Sequence, residues 1–429
     1  MSFSDRPPVS SMVAAYDGVN SYHFGRTKLD KAGNSVIIEV KAASFWSRIY
    51  LSHDLGCKYN AFAEAYMNGD FQVNNLKMAL DLWLDNRTHL GAISSFWNRC
   101  SIILSSLYIR YLGQSLSNAK LNVITGYDSF LSPDMTYSCA IWPESTGGIH
   151  GDLTEEWNEE ILEVAQLYKI HNLLKKARLR PGDRLLEFGS GWGSLAIEAA
   201  KMGCEVDTLT LSVNQKAIAD QRIAALSLQD RVRIHLLDYR NMPDSFQHVF
   251  DAFISVEMVE AVGAIYLEKF FKLLDWALKP HRAVAVITAT TQPEWRFKIL
   301  QPDDYARRYQ WPNSFVPSAT YFLQVAEAAT RGTLPVESVE NFGSRDIISF
   351  DYPRTLREWG RRFSRNWGNE QVMASLTKSQ SQLLEIPGAL DAFRRKWEYL
   401  WVYAEVGYAR AYTSMHHFTF TRPEFVASD

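Results

Sequence analysis

Seven residues, Glu187-Phe188-Gly189-Ser190-Gly191-Trp192-Gly193, place an acidic side chain just ahead of a glycine at every second position. Glycines at that spacing allow a tight turn and let backbone approach a ligand closely. Arg184 to Phe188 has strand character, and Ser194 to Lys201 reads as a helix. A ligand held there lies at the carboxyl end of a parallel strand and near a helix N-terminus. A carboxylate at Glu187 repels a pyrophosphate and attracts a cation. That favours S-adenosylmethionine over a dinucleotide. An ordinary strand–turn–helix carries the same triplet, so the neighbouring chain has to decide.

Further strands follow at regular intervals. Glu205 to Leu211 ends in polar residues, with Thr210 and Gln215 beyond its apolar part. Arg231 to Tyr239 ends in Asp238 and Tyr239, Asp251 to Val256 forms a fourth strand, and Ala283 to Thr288 a fifth. Strands alternating with helical stretches predict an open, mainly parallel α/β sheet, with polar strand ends converging on one crevice.

Leu186-Glu187-Phe188-Gly189-Ser190-Gly191-Trp192-Gly193, Leu209-Thr210-Leu211-Ser212 with Gln215, and Asp238-Tyr239-Arg240 resemble the cyclopropane-fatty-acid synthase family. So do Met135-Thr136-Tyr137-Ser138-Cys139, Glu257-Met258-Val259-Glu260-Ala261-Val262-Gly263, and Asp351-Tyr352 with Thr355-Leu356. Order and spacing match from about Phe62 to Phe420. The resemblance implies a Rossmann-like class I methyltransferase domain preceded by a smaller N-terminal α+β domain. It implies S-adenosylmethionine as cofactor, held by Gly189, Gly191 and Gly193 with Tyr137 and Glu187, by Thr210 and Gln215 near the ribose, and by Asp238 and Tyr239 near the adenine. It further implies an unsaturated acyl lipid as substrate, with a methylene added to a cis double bond through a carbocation. Such a site must be dry and aromatic, and needs a base beside the transferred methyl.

In the resembling enzymes that base is a bound bicarbonate. Carried across by motif, its holders are Glu260, Tyr352 and the loop bearing Cys139, while Ile287 stands where bacterial members have a histidine. Only the backbone of Ile287 could serve there. Each residue has a plainer reading: Cys139 as a small buried side chain, Glu260 as a helix cap, Thr210 and Gln215 as strand-end and cap polars. Glu257 lies three residues before Glu260, and alignment selects Glu260. Gly126-Tyr127-Asp128 and the shortened segment Ser129 to Asp134 depart from the family's pattern, and Thr288 to Glu294 looks closer to the eukaryotic-type branch, which also lacks that histidine. Two alternatives to cyclopropanation follow: methylation of an alkene in another molecule without ring closure, and a lipid-binding relative without catalysis.

Composition narrows the setting. The chain has 429 residues, 47% apolar and 22% charged, which suits a soluble globular protein of two or three domains. A net charge of -3 gives no nucleic-acid footprint. Cys57, Cys100, Cys139 and Cys204 lack metal-type spacing, so no metal site is expected. The start of the chain does not read as a signal peptide, and no apolar run reaches bilayer length. The expected location is the cytoplasm, with peripheral contact at a membrane and a homodimer both left open.

The expected organisation is a small α+β domain over residues 1–90, a linker helix over 91–120 and the methyltransferase domain over 121–429. Ser35 to Val40 reads as a strand and Asn60 to Met67 as a helix. Ser94 to Leu112 is an apolar-faced helix suited to burial against a domain or sister subunit, or to a membrane surface. Glu155 to Ala177 reads as a helix buried along Ile161, Leu162, Val164, Ala165, Leu167 and Tyr168. Ala392 to Tyr412 is another, and Phe418 to Phe420 a closing strand. Arg357, Arg361 and Arg365 share a helix face that is either solvated or docks on anionic lipid.

Overall fold

The structure, a computed structural model, describes residues 12–16, 21–24, 35–52, 60–90, 130–154, 158, 160–342, 351–379 and 382–423. The expected linker helix, Gly126 to Ser129, Cys57 and Cys100 lie outside them. Strands β1 (Met12–Tyr16), β2 (Ser21–Phe24), β3 (Ser35–Val40) and β4 (Phe71–Val73) form a four-stranded sheet in the order β2-β1-β3-β4. Helices α1 (Ser44–Ser52), α2 (Ala61–Met67) and α3 (Leu76–Leu90) accompany it.

The second sheet has seven strands: β5 (Arg184–Phe188), β6 (Glu205–Thr210), β7 (Val232–Leu236), β8 (Ala252–Val256), β9 (Val284–Thr291), β10 (Val336–Asn341) and β11 (Ser414–Thr421). Their order is β10-β11-β9-β8-β5-β6-β7. β5 to β9 pair in parallel, and β11 runs antiparallel to both β9 and β10. β5, β6, β8 and β9 are buried almost throughout, because helices cover both sheet faces. β7 and β10, at the edges, expose alternate residues and half of the residues respectively.

A short helix α4 (Gly151–Thr154) precedes α5 (Ile161–Lys176). The expected helix from Glu155 therefore starts later, at Ile161. Its buried face also differs. Val164 and Tyr168 are about half exposed, while Gln166 and Lys169 are buried with Leu162, Ala165, Ile170 and Leu173. The reason is polar: Gln166 Nε2 donates to Ser138 O at 2.9 Å and Lys169 Nζ donates to Ser138 Oγ. α6 (Ser194–Lys201), α7 (Val213–Ala225), α8 (Leu267–Ala277) and α9 (Ala319–Thr330) complete the αβ alternation. After them come α10 (Asp351–Asn366), α11 (Glu370–Ser379), α12 (Gln382–Glu385) and α13 (Ala389–Ala409).

Two members of the arginine row on α10, Arg357 and Arg361, turn toward Asp152 rather than forming a solvated or lipid-docking face. Arg357 Nε and Nη2 reach the two carboxylate oxygens of Asp152 at 2.7 and 2.8 Å, and Arg361 Nη2 reaches Oδ2 at 2.7 Å. Arg354 is buried and stacks on Trp142. Of the row, Arg365 stays exposed. Burial alone would raise the Asp152 carboxyl, but the hydrogen bonds and charges of Arg357 and Arg361 prevail and hold it below its ordinary value. Asp152→Asn leaves three guanidinium groups short of their anion, and we expect a loss of about 3–5 kcal/mol in chemical denaturation near neutral pH. A depressed carboxyl contributes stability above its unfolded pKa and loses it as pH falls through the folded one. The gap between wild type and variant should therefore close in acid.

Candidate functional site

Chain direction makes the crevice. β5 and β8 are neighbours, yet β5 leads to β6 on one side and β8 to β9 on the other, so their carboxyl ends flank a topological switch point. The glycine turn leaves β5 there and the Glu257–Glu260 segment leaves β8. Gly189, Gly191 and Gly193 have φ of 91°, 48° and 86°, the left-handed region that glycine tolerates. A Cβ on Gly191 would meet nothing within 4 Å, whereas one on Gly193 would press to 3.1 Å from Ala219 Cβ. Gly191 thus faces open space and Gly193 lets α6 pack. Glu187 is buried, and burial pushes its carboxyl up to about 7, opposed by the nearby Thr208 hydroxyl. Its Oε2 has no hydrogen-bond partner. A cradle of open backbone beside an unsatisfied buried carboxyl fits the sulfonium cofactor.

The remaining expected cofactor residues are partly engaged with the protein. Thr210 Oγ1 donates to Gln215 Oε1 at 2.9 Å, and Ser212 Oγ caps α7 by accepting from Gln215 N–H at 3.2 Å. Burial raises the Asp238 carboxyl, but Arg240 overrides this through Nε at 2.8 Å and Nη2 at 2.7 Å and holds it low. Tyr239 packs its ring on Phe188 and Phe270, with its hydroxyl buried and unpartnered.

On the other side of the switch lies a cavity of about 260 Å³, lined by Tyr137, Glu257, Glu260, Tyr352 and Tyr408 among others. Glu257 gathers polar contacts from two remote segments. Its Oε1 accepts the Cys139 backbone N–H at 2.6 Å, and its Oε2 accepts the Tyr352 hydroxyl at 2.6 Å. Its φ of 48° places a non-glycine residue in the left-handed region, held there by N–H bonds to Thr288 O and Oγ1, each 3.1 Å. Burial raises the Glu257 carboxyl, opposed by the Tyr352 hydrogen bond, the Lys169 charge and the Cys139 N–H. Burial holds the Tyr352 hydroxyl protonated, reinforced by the Glu257 charge.

Glu260 accepts from Thr290 N–H through Oε1, and its Oε2 is buried without a partner. Burial and then the neighbouring Glu257 charge push its carboxyl up to about 7. Tyr408 stacks on Tyr352 with centroids 4.2 Å apart and shares a 2.8 Å hydrogen bond with Thr290 Oγ1. Tyr137, Trp359 and Trp401 supply further cavity faces.

Glu260 and Tyr352 line one cavity, and Cys139 reaches it through Glu257; three details differ from the expectation. Cys139 contributes its backbone N–H; its thiol donates to Ala140 O at 3.3 Å and is kept protonated by burial and the Glu257 charge. Ile287 lies fully buried in the apolar core beside Phe418, on the strand face away from the cavity, so the side chains that β9 presents to this segment are Thr288 and Thr290. The donors expected to hold a bicarbonate, Cys139 N–H and Tyr352 hydroxyl, both bind Glu257. Glu257 thus takes the two contacts expected of that anion. Glu257 was passed over in the sequence reading, and its signal was the i, i+3 acidic pair after a buried strand. Thr290, Tyr408 and Lys169 had no sequence signal beyond polarity within apolar stretches.

Residues 125–402, well over half of the chain, match the family described as mycolic acid cyclopropane synthetase. The chain belongs to that family. Its relatives include the tuberculostearic acid methyltransferase UfaA1 of Mycobacterium tuberculosis, 30% identical over 84% of this chain and 78% of that one. The cyclopropane-fatty-acyl-phospholipid synthase of Escherichia coli is 28% identical over 81% of this chain and 83% of that one. Among solved structures, the mycolic acid cyclopropane synthase CmaA1 complexed with SAH and CTAB superposes with a TM-score of 0.54 at 23% identity, over 69% of this chain and 93% of that one. As a cyclopropane synthetase family member, the chain is an S-adenosylmethionine-dependent C-methyltransferase with the class I α/β fold. No helix among the described residues is long and apolar enough to cross a membrane.

Proposed function

We propose that the chain transfers the methyl of S-adenosylmethionine to a cis double bond in a lipid acyl chain and that Glu260 removes a proton from the transferred methyl. The observation that carries the reading is Glu260 Oε2, a buried carboxyl oxygen without a partner in an aromatic cavity. S-adenosylmethionine, when bound, supplies an electrophilic methyl group. The alkene π pair would form the new carbon–carbon bond as the methyl–sulfur bond breaks with its pair kept on sulfur, so that S-adenosylhomocysteine leaves and positive charge passes to the acyl chain. Faces of Tyr137, Tyr352, Tyr408 and Trp359 stabilise that charge and keep water out. Glu260 takes one methyl proton, and the electron pair of that C–H bond closes a cyclopropane. Glu257 holds the Cys139 loop and Tyr352 in place and adds negative charge near the cation.

A second reading rests on Glu257 itself. A carboxylate fixed where an anion is expected can favour a different fate for the cation: a hydride shift followed by loss of the same methyl proton, which leaves a methylene branch instead of a ring. The named activity of UfaA1 is methylation. Incubation with labelled S-adenosylmethionine and monounsaturated phospholipid, followed by mass spectrometry and proton NMR, separates the outcomes. Ring protons in a labelled acyl chain support the first reading, and new =CH2 protons of a methylene branch support the second. Absence of label from every lipid rejects both. Because Cys139 N–H and the Tyr352 hydroxyl both bind Glu257, turnover should be unchanged by bicarbonate addition or its removal from buffer; a several-fold response would contradict the assignment of the cage to Glu257.

A further inference from the structure

The acyl cavity is not built by the methyltransferase elements alone. Leu80, Trp83 and Leu84, on one face of α3, line it together with Trp401, Tyr403 and Ala404 of α13. Spacing of three and four residues puts these side chains on one helical stripe. Polar contacts fix that helix and its neighbour α2 against the catalytic elements. Arg410 pairs with Asp81 at 3.1 Å and with Asp85. Tyr309 hydroxyl donates to Glu64 at 2.6 Å, and Asn60 Nδ2 donates to Asp303 O at 3.2 Å. One apolar core runs through Phe62, Phe71, Leu80 and Leu84 into Trp359, Trp397 and Trp401. A wall tied at so many points is a fixed surface rather than an adaptable one.

We propose that α3 is the specificity wall of this cavity, with the Trp83 indole limiting the length of acyl chain accepted on its side of the reacting double bond. The inference rests on the acyl-lipid reading above. Trp83 touches the cavity that takes the acceptor, while the cofactor cradle is formed by the turn after β5. Truncating a bulky wall residue lengthens an apolar slot, and a pocket discriminates between chains by about tenfold or more per methylene at its closed end.

The test is a competition between monounsaturated phospholipids that differ only in chain length beyond the double bond, with labelled S-adenosylmethionine and full-length protein. For Trp83→Ala the kcat/KM ratio of longer over shorter chain should rise by about tenfold or more. Trp83→Phe should fall between, and Leu80→Phe should move the ratio the other way, so one poorly folding variant does not remove the test. Affinity for S-adenosylhomocysteine, measured by calorimetry, should stay near wild type in all three. Ratios within twofold of wild type in the folded variants would overturn the wall assignment. Failure of the wild type to label any acyl chain would instead reject the acyl-lipid reading, a separate result.

Discussion

Glu260→Gln should slow methyl transfer by about 10²–10⁴-fold, the usual worth of a positioned general base, while leaving S-adenosylhomocysteine affinity within a few-fold. The substitution keeps the shape, and Oε1 can still accept from Thr290 N–H. What it removes is the proton acceptor at the unpartnered Oε2. Glu260 belongs to the acceptor cavity and the glycine cradle to the other strand, which is why rate and cofactor affinity should separate. The pH profile carries a second signature. The carboxyl is pushed up to about 7 by burial and Glu257, and only its ionised form accepts a proton. Activity should therefore rise as pH increases through that region and level off above it. In Glu260→Gln the residual activity should lose this limb. A folded Glu260→Gln protein with wild-type turnover and an unchanged limb would show that another group is the base.

Gly191→Val should abolish cofactor binding in a protein that still folds. At φ of 48° a β-branched residue is strained, and its methyls would fill the space that a Cβ enters without contact. That open space is the reason for the large effect, because the substitution meets no protein atoms within 4 Å at Cβ and so acts on the ligand rather than on packing. Gly193→Val is a useful contrast. There the added Cβ crowds Ala219 at 3.1 Å, so lost binding should be accompanied by a lower melting temperature. Near-native S-adenosylhomocysteine affinity by calorimetry in folded Gly191→Val would sink the cradle assignment.

The sheet was legible because its signals are local. Strand, glycine turn and helix repeat along the chain, and the observed β5 and α6 begin and end where apolar run and glycines place them. The Glu155 helix was misplaced for a physical reason. Val164 and Tyr168 look like core by residue type, but Gln166 and Lys169 take the buried positions because Ser138, distant in sequence, offers them partners. The arginine row failed in the same way, since Asp152 lies some two hundred residues before it. Glu257 is the sharpest case. Nothing within its own segment says that its two oxygens will meet Cys139 N–H and the Tyr352 hydroxyl, and only the fold brings those three segments together. Motif resemblance supplied the site's membership, whereas its internal wiring depended on contacts between remote stretches.

The most direct measurement uses S-adenosylmethionine deuterated in its methyl group, with a monounsaturated phospholipid as acceptor and mass spectrometry of the released acyl chains. Proton removal from the transferred methyl by a protein base predicts that one deuterium per transfer is lost from the product, whether the chain closes a ring or carries a methylene branch. Product chains that retain the whole methyl label would contradict the account, because the base would then act elsewhere or not at all.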